Sequence, residues 1–257
     1  MLVLTESGNV HVFTYGGLFL TSWRAFPPNG DYGLSVRSWH SLVVDSQRAL
    51  VLVGTDSCVL AFDLDGRYLS SSKAAHAIRV TALAITGTRG DLLIGTSGGG
   101  YMATFGLARL RFDGAQFALA DTYGPLECVV ISVAADQRTN CLFFTMWQMD
   151  TPHAVALDDL CRSVSLARFE FPVSKSACSR VAADETRRRL YLTAAKSTTV
   201  QVFDLDSGAF LSEEAVVREA KDRVPAVAAA LGLLFSWAGF GNELSVRHVS
   251  AKESAFQ

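Results

Sequence analysis

The residues that could do chemistry are spread thinly along this chain. Five histidines, His11, His40, His76, His153 and His248, stand far apart, with no two at the spacing of metal ligands. Five cysteines, Cys58, Cys128, Cys141, Cys161 and Cys178, form no C-x-x-C pair and are odd in number, which suggests neither a zinc site nor a disulfide framework. Most of them fall in or beside apolar runs, where cysteine behaves as a small hydrophobe. There is no H-E-x-x-H and no phosphate-binding P-loop. The run Gly98, Gly99, Gly100 lacks the lysine and following helix that would cradle phosphate, so it reads as a glycine hairpin. These observations predict a chain that is not an enzyme, with no catalytic residue, no cofactor and no metal.

The elements that would position any site are more legible. Residues 179–208 read as three short strands joined by tight turns, and residues 41–66 repeat the same grammar. Asp45 stands where Asp184 does, apolar runs follow each, and the turn after Phe62 matches the turn after Phe203. Corresponding second strands begin near residues 2, 49, 91, 140, 189 and 233, a mean spacing of about 46, or (233 − 2)/5. Residues 27–37, rich in Pro, Gly and Asn, read as a loop. Residues 213–223 carry a weak helical pattern of one or two turns, read as an excursion between units.

Four-stranded units of this length in series predict an all-β fold, a β-propeller. Six blades of four antiparallel strands are favoured, five or seven being the alternatives. The approximate blades are 1–37, 38–78, 79–126, 127–177, 178–222 and 223–257, in one domain spanning 1–257, with room for the chain to be part of a longer one. The first blade lacks its inner strand, so the ring would close through residues 254–257, a missing segment or a partner's strand, since an open ring exposes strand edges. Val133-Ala134-Ala135, Val181-Ala182-Ala183 and Val227-Ala228-Ala229 suit inner strands, where blades converge and space is least. Phe62, Phe105, Phe112, Phe169 and Phe203 fall on third and fourth strands, where there is more room.

The pattern h-x-h-h-x-D, then L-h-h-x-T, then V-x-h-F-D-h-D-x-G resembles the degenerate WD40, YVTN and NHL class of propeller repeats over nearly the whole chain. No Trp-Asp dipeptide and no Gly-His pair is present, so the WD40 hydrogen-bond tetrad is not carried over. Asp45, Asp136 and Asp184 would cap first hairpins, and Asp63, Asp65, Asp204 and Asp206 would shape later ones, because Asp accepts backbone N–H groups in turns. The resemblance implies a protein-protein interaction platform, a scaffold or subunit of a larger assembly. The alternative it implies is a metal-dependent propeller hydrolase or lactonase with a site in the central channel.

The channel mouth on this reading is formed by His40, Arg79, Glu127, Arg180 and Arg223. One carboxylate among three arginines makes a poor cation cage and suits an acidic peptide or small anion. The interaction face would be carried by Tyr101, Trp147, Met149, Trp237 and Phe240 on strand turns, since a few Trp, Tyr and Arg anchors supply most binding energy. A net charge of -2 predicts no nucleic-acid partner. The basic run 187–189 reads as a solvated turn. The N-terminal residues have no secretory pattern, and no apolar stretch nears the roughly 18 residues of a membrane helix. The expectation is an intracellular, cytoplasmic protein with protein partners and no membrane.

Overall fold

The computed structural model describes residues 1–5, 8–14, 16, 18–26, 41–55, 58–73, 78–86, 90–98, 105–112, 116–147, 149, 151–169, 171, 178–194, 197, 199–215, 226–230, 233–237 and 244–248. These residues form six small antiparallel sheets in chain order. The first holds β1 (Leu2–Leu4), β2 (Asn9–Phe13) and β3 (Phe19–Arg24). The second holds β4 (Ser41–Asp45), β5 (Leu50–Gly54), β6 (Cys58–Asp63) and β7 (Tyr68–Lys73). The third holds β8 (Ile78–Ile85), β9 (Leu92–Gly98), β10 (Phe105–Phe112) and β11 (Phe117–Leu126). The fourth holds β12 (Val130–Asp136), β13 (Cys141–Met146) and β14 (His153–Ala156). The fifth holds β15 (Cys178–Asp184), β16 (Arg189–Ala194), β17 (Thr199–Asp204) and β18 (Phe210–Ala215). The sixth holds β19 (Ala226–Ala230), β20 (Leu233–Trp237) and β21 (Leu244–His248).

The first five sheets stack face to face, each sharing a core with the next. Val51, Val53, Leu60 and Phe62 pack on the first sheet's Val10 and Trp23, whereas Leu52, Val59 and Ala61 pack on Leu83 and Ile94 of the third. Alternate residues of one strand thus serve two different neighbours, which is why the central strands read as nearly unbroken apolar runs. Inner strands adjoin in succession, β4 with β8, β8 with β12, β12 with β15, and β15 with β19. This is a β-propeller. Counted by inner strands it has five blades, where the sequence favours six and admits five; blades are numbered by their sheets, beginning with the first sheet. Among the described residues the first sheet has three strands and stands beside β4.

The turns explain themselves chemically. The first hairpins place Ala49, Gly90, Asn140 and Arg188 at one equivalent position, with φ of 55°, 63°, 53° and 56°. Such a left-handed residue closing a short β-hairpin lets the strands keep their right-handed twist. The preceding Asp holds the loop: Asp45 accepts the amides of Gln47 and Arg48, and Asp184 that of Arg187. In the third sheet Thr86 substitutes, its Oγ1 accepting the Asp91 amide at 2.9 Å.

Two expectations are corrected. Residues 164–171 do not form a fourth strand in the fourth sheet. Only Ser163 bridges to Val155 there, flanked by the bonds from the Ala156 amide to Arg162 and from the Val164 amide to Ala154. Phe169 and Phe171 instead stack at 5.3 Å, and both rings pack against Phe203. The helical excursion over 213–223 is also wrong in its first three residues, which belong to β18, and the rest lies outside the described residues.

Candidate functional site

Strand polarity places the beginnings of β8, β12 and β15 at one end of the propeller, opposite the Asp-capped first hairpins. Arg79 sits exposed near the start of β8, and Glu127 lies exposed in the bend before β12. Arg180 sits on β15, directly after a bulge between Cys178 and Arg180. Equivalent bulges follow Val80 in β8 and Val130 in β12. A bulge re-aims the side chains beside it, and this one carries the Arg180 Nη1 to the Ile131 carbonyl of the neighbouring blade. Burial draws the Arg180 guanidinium below the ordinary arginine value. No carboxylate pairs with it among the described residues. His40 and Arg223 lie outside the described residues.

Trp147 belongs to the same neighbourhood. Its amide donates to the Val129 carbonyl at 2.8 Å, two residues from Glu127 and two from Ile131. Its ring is 44% exposed. Met149, by contrast, packs against the core between the third and fourth sheets. Trp237 ends β20, paired with Ala226 and Leu244. Tyr101 and Phe240 lie outside the described residues. The structure therefore gathers Glu127, Trp147 and Arg180 around the entry to β12, with Arg79 on the adjoining inner strand.

Residues 95–99 also spell G-x-S-x-G, the letters of a serine-hydrolase elbow. Ser97 lies inside β9, buried and paired with Arg79 and Phe105, so it is not at a strand-to-helix turn as that chemistry requires. Among the described residues no three His, Cys, Asp or Glu side chains converge to hold a metal ion.

A second concavity was not legible in the sequence. Between β11 and the irregular stretch after β14 lies a cleft of about 280 Å³, bounded by Tyr123, Leu126, Phe144, Met146, His153 and Val164. His153 stacks on Phe144, with ring centroids 5.5 Å apart and an interplanar angle of 24°. As one of five scattered histidines it carries no signal in one dimension, because its partners come from two other strands.

At the opposite end, the run 187–189 is not a solvated turn. Arg188 spans Asp136 of the previous blade and Asp206 of its own, and Arg189 pairs with Asp204 at 2.8 Å.

No protein-family model matches the chain. A search of curated proteins returns no match either. Among solved structures the fold is similar to that of a protein of unknown function from Bacteroides caccae, with TM-score 0.63 and 10% identity. The match covers 94% of this chain and 83% of that one. At that identity the likeness shows the propeller fold alone. No helix among the described residues is long and apolar enough to cross a membrane.

Proposed function

We propose that this chain is a non-catalytic, WD40-like β-propeller serving as a protein-protein interaction platform or as a subunit of a larger intracellular assembly. The observation that carries the reading is the convergence at the entry to β12. There the exposed Trp147, its backbone amide bonded to the Val129 carbonyl, and the Arg180 guanidinium, bonded to the Ile131 carbonyl, stand near Glu127. An aromatic anchor beside an arginine that pairs with no carboxylate among the described residues is the composition of a binding hot spot, and an acidic peptide segment complements its charge. The first sheet, with three strands among the described residues, offers a second place where a partner's strand would pair. Affinity purification with wild type, Trp147→Ala and Arg180→Ala proteins tests the first surface. Shared loss of the same acidic-segment partner in both variants is expected, and unchanged partner sets would remove the assignment.

A further inference from the structure

The cleft between the third and fourth blades holds a polar atom that the fold leaves unserved. The Nε2 of His153 is buried and makes no hydrogen bond to any described residue. Buried polar atoms of native proteins are nearly always satisfied, and each exception calls for an explanation. Here the unserved atom lies in the wall of a concave, aromatic cleft. The His153 ring lies flat on Phe144, and Tyr123 meets Phe144 edge-on at 6.4 Å. Leu126, Met146 and Val164 supply the apolar remainder. A mostly apolar pocket with one or two placed polar groups is the usual composition of a small-molecule site, and this volume is at the small end of that class.

The cleft exists because the fourth blade has no regular outer strand. In the third and fifth blades a fourth strand covers the third, whereas after β14 the chain turns away to bury Phe169 and Phe171. Burial also lowers the affinity of His153 for a proton, so the ring is neutral near pH 7 and one nitrogen has a free lone pair.

We propose that this cleft is a binding site for a small planar aromatic molecule carrying a single hydrogen-bond donor, the phenol class, whose hydroxyl donates to His153 Nε2. The ring of the ligand fills the space bounded by Tyr123, Phe144 and Met146. This inference is independent of the interaction surface at the entry to β12.

The test is an NMR titration of the full chain with p-cresol, and with toluene as the same shape lacking the donor. Saturable binding of p-cresol is expected, with shifts of the His153 ring nitrogens and of the Tyr123 and Phe144 signals, and toluene binding at least tenfold weaker. In His153→Phe, which keeps the aromatic stack and loses the nitrogen, p-cresol should fall to the affinity of toluene. Equal affinity of the two probes for wild type, absence of saturation, or shifts confined to other residues would overturn the site. The two-probe comparison on wild type decides the matter even if His153→Phe does not fold.

Discussion

The carboxylate of Asp136 accepts both terminal nitrogens of Arg188, Nη1 at 2.7 Å and Nη2 at 2.9 Å, across the boundary between two blades. Asp136 closes the first hairpin of one blade, and Arg188 occupies the left-handed position in the corresponding hairpin of the next. Two boundaries earlier an arginine also crosses, in a different way: Arg48 bonds Asp45 of its own hairpin and reaches the Gly90 carbonyl of the next blade. The fourth and fifth blades are thus fastened at their Asp-capped turns by an arginine fork. Asp136 is fully buried and Arg188 only 16% exposed at its side chain, so the pair is of the kind whose breakage leaves a stranded charge. Arg188→Ala should cost about 3–5 kcal/mol in urea unfolding by that reasoning. Arg188→Lys should recover little, because an ammonium cannot reproduce the fork. An Asp136→Ala, Arg188→Ala double variant should lose clearly less than the two single losses together.

Acid should loosen the same fastening. Burial alone would raise the Asp136 carboxyl, but the bonds from Arg188 and Thr139 outweigh it and hold the group below its ordinary value of 3.8. Asp206, beside Arg188, is lowered in the same direction. A carboxylate depressed in the folded state stabilises fully above its unfolded value and loses that contribution as pH falls below it. Unfolding free energy should therefore decline as pH is taken below 3.8, and Arg188→Ala should decline less steeply over the same range. Parallel slopes for the two proteins would show that Arg188 does not hold this carboxylate.

His153 predicts a separate dependence nearer neutrality. Burial lowers its folded-state value below the ordinary 6.5. The unfolded chain then takes up the proton first, so stability is complete above 6.5 and falls as pH drops below it. His153→Phe should abolish that component while leaving the more acidic one intact. Thermal melts of both proteins from pH 7.5 to 5 make the comparison.

Ser132 ties the fourth and fifth blades at their inner strands. Its hydroxyl donates to the Val181 carbonyl and accepts the Val181 amide, while Ser41 accepts the Leu83 amide at the equivalent place two blades away. Ser132→Ala leaves both Val181 groups without that partner and should cost about 1–3 kcal/mol. Hydrogen exchange should quicken at the Val181 amide, and in Ser41→Ala at Leu83 instead.

Gly66 seals the first blade to the second. It has φ of 85°, and a β-carbon there would stand 2.3 Å from the Trp23 ring. Gly66→Ala meets both a strained backbone and a steric clash, each costing about 1–3 kcal/mol. Reduced stability together with a shifted Trp23 fluorescence spectrum is the expected outcome.

The repeat, the strands and the turns were legible in the sequence because their causes are local. A left-handed turn position, an Asp accepting its own loop amides and a run of alternating contacts each act within a few residues, so one stretch of chain declares them. The five inner strands and the Ala-rich hub could both be read in this way. Arg188 could not, since its role depends on Asp136 in another blade, and a basic turn looks the same whether it faces water or a buried carboxylate. His153 and Tyr123 likewise become a cleft only when residues 164–171 decline to form a strand. That outcome belongs to packing, where Phe169 and Phe171 meet Phe203 from a distant part of the chain. Tertiary structure decided where the blades are fastened and where they stay open, through contacts between residues far apart along the chain.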